Sequence, residues 1–67
     1  MNLAEALPIE QARCREILVH ARELPSKSGF FLVLMLDQAL RRADEAAAAG
    51  DVVGMLTAYR DLQEFKE

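Results

Sequence analysis

The chain lacks the usual staples of a small domain. Its 67 residues include one Cys, one His, no Trp, 2 Pro and 3 Gly. A single cysteine, Cys14, closes no internal disulfide, and one Cys with one His cannot supply the four ligands of a structural zinc site. Glycine-rich phosphate loops and nucleotide-binding motifs are absent from the sequence. No apolar run is long: the longest, Phe30 to Leu36, has seven residues, whereas a membrane span needs about 20. Near the start, Glu5 stands where a secretory signal would be basic, and no apolar stretch follows, so no signal peptide is expected. The unpaired thiol fits a reducing compartment, and the expected location is cytoplasmic.

Excess positive charge is also missing. The formal net charge is −3, which speaks against a general nucleic-acid binder, since such proteins carry a basic patch that displaces counterions from phosphates. It speaks equally against attraction to an anionic membrane surface. What the chain does have is apolar content, at 52%, too much for a disordered segment. The expectation is therefore one folded domain over 1–67. A chain of this length buries only about 60% of its unfolded surface, so a lone monomer is marginal. With disulfide and metal excluded, self-association or an unusually good helical core remains.

Apolar residues recur with helical period in three segments, and the spacing predicts an all-α fold, a small three-helix bundle or open helical array, with helices at about 8–24, 30–49 and 52–65. Proline is tolerated at a first helical position, so Pro8 marks the first start. Residues 1–7 are expected to be irregular, although Asn2 and Glu5 have capping-box spacing that permits a frayed extra turn. Cys14, Ile17, Leu18, Ala21 and Leu24 form the first apolar stripe. The loop signal at Pro25–Gly29 separates this helix from the next, which Ser26 or Ser28 would cap. Leu32, Leu36, Ala39, Leu40, Ala43 and Ala47 form the second stripe. Gly50 and Asp51 suit a left-handed C′ position and an N-cap, and the short link predicts a close hairpin. Val52, Met55, Leu56, Tyr59 and Leu62 form the third stripe.

The run at Phe30–Leu36 breaks this order. A surface helix shows one apolar stripe, yet Phe30, Phe31 and Leu34 point away from the core stripe of the second helix. Two neighbouring helices can cover only part of its circumference. Either these side chains make a contact surface, or the N-terminal segment, through Leu3, Leu7 and Ile9, folds over them. Val53 and Phe65 fall off the third stripe. The predicted interface is thus Phe30, Phe31, Leu34, Val53 and Phe65, and its default occupant is a second copy in a two-fold dimer.

Chemistry has little to build on. Cys14 and His20 lie about 120° apart around one helix and do not face each other, and no carboxylate is placed to complete a triad. Glu16, His20 and Glu23 share a side of the first helix, but metal sites in bundles gather ligands from several helices, and no second segment offers them. No catalytic residue, cofactor or metal is expected, and the chain is not read as an enzyme. A helix-turn-helix through the second and third helices would make Thr57, Arg60, Gln63 and Lys66 the reading residues. Asp61, Glu64 and Glu67 on the same helix would repel phosphates, so this DNA-binding regulator is the runner-up. A peripheral membrane helix through Phe30 and Phe31 lacks a basic polar face.

The pattern at Ile9–Glu16, Ser28–Phe31, Gln38–Asp44, Gly50–Val53 and Ala58–Tyr59 resembles short orphan proteins of phages and prophages in proteobacteria. That resemblance implies a setting in the host cytoplasm and a small accessory role, binding and modulating a host or phage protein. It implies no catalytic residues. The functional expectation is a helical protein acting by protein–protein contact, as a homo-oligomer or as an adaptor or inhibitor that takes a helix of another protein into its groove.

Overall fold

A computed structural model describes residues 2–24 and 27–66 (of Ser28, the backbone alone) and gives three helices in an antiparallel bundle. They are α1, Leu3–Arg22; α2, Lys27–Ala49; and α3, Val52–Gln63. The described residues contain no strand. The molecule is elongated, with principal extents of 37 × 20 × 16 Å, because α2 alone, at 23 residues, is about 34 Å long.

The first helix begins five residues earlier than Pro8 predicts. Asn2 is the N-cap, its Oδ1 accepting from the Glu5 N–H at 3.0 Å. Pro8 lies inside the helix, where it leaves the Ala4 carbonyl without its usual donor. Burial decides the outcome. Leu7 is 1% exposed and Leu3 packs against the core. Burying a leucine contributes about 1.5–3 kcal/mol, comparable with the roughly 3 kcal/mol that proline costs in a helix interior. Ala4 and Pro8 are both exposed, so water can reach the orphaned carbonyl. Residues 3–7 are therefore helical, not irregular. At the other end Leu24 lies beyond the helix and is 54% exposed, outside the stripe expected to hold it.

Helix α2 starts at Lys27, three residues before the predicted start. Ser28 lies within it, and Ser26, the other candidate cap, falls outside the described residues. The core of α2 is Leu36, Ala39, Leu40, Ala43 and Ala46. Leu32 packs against this core, and Ala47 is exposed. Gly50 turns the chain with φ 67°, a left-handed conformation that a Cβ disfavours. Asp51 then caps α3, its Oδ1 accepting from the Gly54 N–H at 3.0 Å.

The stripe on α3 is rotated from the expected one. Ala58 and Leu62 are buried, and Met55, Tyr59 and Phe65 pack against the core. Val52 and Leu56 face outward, at 66% and 49% exposed. Small residues explain the rotation. Ala43, Ala46 and Ala58 are all buried, and a Cβ at Gly54 would collide with the Asp51 carboxylate and crowd Ala46. Presenting its small side lets α3 approach α2 closely, and the larger Val52 and Leu56 turn away.

Polar contacts fix how α1 lies on this hairpin. Gln11, 8% exposed, donates through Nε2 to Asp44 Oδ1 at 2.8 Å, and Arg15 pairs with the same carboxylate at 3.0 Å. The Arg13 guanidinium donates to the carbonyls of Leu62 and Phe65 at 2.8 and 2.7 Å while also pairing with Glu10. It thereby adds a charged donor to two carbonyls at the C-terminal end of α3, of which that of Leu62 also accepts from the Phe65 N–H at 3.2 Å. Among the described residues no buried side-chain nitrogen or oxygen lacks a partner.

Candidate interaction face

Helix lengths create the site. At 12 residues, α3 spans about 18 Å, roughly half of α2. It starts beside the C-terminal end of α2 and runs back along it. Its last turn lies near Met35 and Gln38, which line one groove with Asp61 and Phe65. The N-terminal turns of α2 extend past this end with α1 as their main neighbour. Ala21 and Leu24 of the α1 end share a shallow groove with Phe30 and Val33.

On this free half, Leu34 lies about 160° around the helix axis from the buried Leu36, opposite the core. Phe30 and Phe31 flank it. Their exposures are 65%, 64% and 47% for Phe30, Phe31 and Leu34. The N-terminal segment does not cover them: Leu3 and Leu7 serve the core beside the alanine-rich half of α2, and Ile9 is itself exposed. Three of the five interface residues read from the sequence are thus gathered on one face.

The other two are elsewhere. Val53 is 76% exposed but lies at the start of α3, toward the opposite end of the molecule, beside Val52 and Leu56. Phe65 is half-buried, packs against the core and carries a carbonyl held by Arg13, apart from the Phe30, Phe31 and Leu34 face. The rotation of α3 that exposes Val52 and Leu56 is the same rotation that brings Phe65 inward. Sequence reasoning missed Met35, 46% exposed, although it belongs to the same apolar run. It also missed Leu24, which the periodicity of α1 had placed inside.

The reactive side chains are poorly placed for catalysis. Cys14 is fully buried and its Sγ–H donates to the Leu62 carbonyl at 3.4 Å. Burial pushes the thiol pKa up; the Arg13 guanidinium pulls it down less strongly, and Glu10 adds a small upward push. A buried thiol with a raised pKa is a poor nucleophile. Glu16, His20 and Glu23 lie on the exposed side of α1. Among the described residues no group of three or more His, Cys, Asp or Glu is arranged to hold a metal ion.

A groove of about 450 Å³ runs between α2 and α3. Arg42, Glu45, Asp51 and Asp61 line it together with Ala46, Ala49 and Gly54, so charges of both signs rim an open floor of small, largely apolar residues. Among the described residues no helix is long and apolar enough to cross a membrane. Compared with known protein families, curated proteins and solved structures, the chain matches none.

Proposed function

We propose that the protein acts by protein–protein contact and that its first partner is a second copy of itself, seated on the outward face of the N-terminal half of α2. The observation that carries this reading is the exposure of Phe30, Phe31 and Leu34 together, with Met35 at their edge. Monomeric surfaces seldom gather large apolar side chains in one place, and a two-fold dimer is the commonest way to cover them. The short chain adds a reason, because a second copy supplies apolar burial that 67 residues cannot complete alone.

The DNA-binding alternative is disfavoured by α3. Its outward side presents Val52, Val53 and Leu56, and Asp61 and Glu64 accompany Arg60 along the same helix.

Leu34→Asp tests the proposal. Leu34 lies opposite the core, so the variant should keep its helical circular dichroism. Size-exclusion chromatography with light scattering should show it as a monomer under conditions where the unaltered chain is a dimer. A folded variant with unchanged mass would refute the proposed face.

A further inference from the structure

We propose that the two copies pack α2 on α2 in antiparallel orientation, crossing between Phe31 and Leu34, so that Lys27 of each copy meets Asp37 of the other. This orientation rests on the self-association proposed above and deepens it.

The outward side of α2 carries Lys27, Phe31, Leu34, Gln38 and Arg41 at alternating spacings of four and three, the seam spacing of two packed helices. Lys27, Phe31, Leu34, Gln38 and Arg41 belong to α2 and none is fully buried. An antiparallel pair matches one layer of this seam with another about a two-fold axis. The adjacent apolar layers are Phe31 and Leu34. Setting Phe31 of one copy on Leu34 of the second covers both twice. It also places Lys27 opposite Gln38, with Asp37 of the second copy beside it. Asp37 already pairs with Arg41 on its own helix at 3.0 Å, which holds its carboxylate on this side.

Two competing arrangements are weaker. Sliding by one heptad sets Leu34 on Gln38 and Phe31 on Arg41, leaving apolar surface against polar groups. Apolar burial outweighs any exposed ion pair gained by that slide. A parallel pair also stacks Phe31 on Phe31 and Leu34 on Leu34, so apolar contact does not reject it. Charge does: Lys27 would face Lys27, Asp37 would face Asp37 and Arg41 would face Arg41, with the helix dipoles aligned.

Charge exchange tests the orientation. Dissociation constants are measured by sedimentation equilibrium at low salt for the unaltered chain, Lys27→Glu, Asp37→Lys and the double variant, each checked for folding by circular dichroism. Each single change should weaken the dimer about threefold to tenfold, in keeping with exposed ion pairs acting twice. The double variant should return to within about twofold, and added salt should shrink all differences. Mixing the two single variants should favour the heterodimer, in which both cross pairs regain opposite charges. Single changes without effect, or a double variant weaker than either, would overturn the antiparallel register. An unaltered chain that is monomeric at every concentration would overturn the self-association beneath it. A dimer indifferent to these exchanges would overturn only the orientation.

Discussion

Cys14 shows how one residue's setting fixes its chemistry. With the Leu62 carbonyl as its acceptor and no access to water, the thiol should alkylate only as fast as the chain opens. Adding denaturant below the midpoint should speed the reaction with iodoacetamide in step with unfolding; rapid labelling of the native protein would show an accessible thiolate. Its raised pKa also has a sign. The unfolded chain loses the thiol proton first as pH rises, so the native state binds more protons there and stability falls with pH. The contribution is complete below the ordinary thiol range and is lost through the higher native pKa. Melting temperatures of the native chain should therefore decline above that range, and Cys14→Ala should flatten the decline. Gly54 carries a second prediction at this scale. Glycine to alanine inside a helix ordinarily stabilises by roughly 1 kcal/mol. At this position the new methyl would displace the capping carboxylate of Asp51, and a lost N-cap costs about as much or more. Gly54→Ala should lower or leave unchanged the denaturation midpoint, never raise it.

Among the elements, α1 illustrates which parts of the fold the sequence discloses. The stripe from Cys14 to Ala21 is buried as its spacing requires, and Asn2 carries a recognisable cap. Pro8 masked the true start, because the gain that overrides it comes from Leu3 and Leu7 packing against distant parts of the chain. Pro8→Ala should stabilise by about 1 kcal/mol or more by restoring the hydrogen bond to Ala4, read from chemical denaturation; a loss of stability would mean that proline sets the helix start. The α3 stripe is legible at Met55, Tyr59 and Leu62, which meet the core, and fails at Val52 and Leu56 for a related reason. Val52 and Leu56 have the spacing of a core stripe, but spacing cannot reveal that Ala43, Ala46 and Ala58 allow a closer approach on another side. The clamp from Arg13 was invisible for the same cause, since its acceptors are backbone carbonyls 49 and 52 positions away. Its side chain is 37% exposed, and the charged hydrogen bonds are discounted accordingly. Arg13→Ala should cost about 1–2 kcal/mol.

At the scale of the whole molecule, unequal helices leave one end of the bundle two helices wide. The apolar run at Phe30–Leu36 was legible in the sequence because it contradicts the amphipathic pattern around it. Which end it would occupy, and that Phe65 would turn inward while Phe31 stays out, depended on where α3 stops. The candidate face follows from that mismatch, and a second copy meeting it through α2 is the simplest way to remove about three large apolar side chains per chain from water. The most direct test is the mass of the unaltered protein by sedimentation equilibrium over a dilution series from millimolar to nanomolar. Self-association predicts twice 7.5 kDa at the concentrated end, falling reversibly to 7.5 kDa on dilution. A mass of 7.5 kDa throughout, in a cooperatively folded chain, would contradict it.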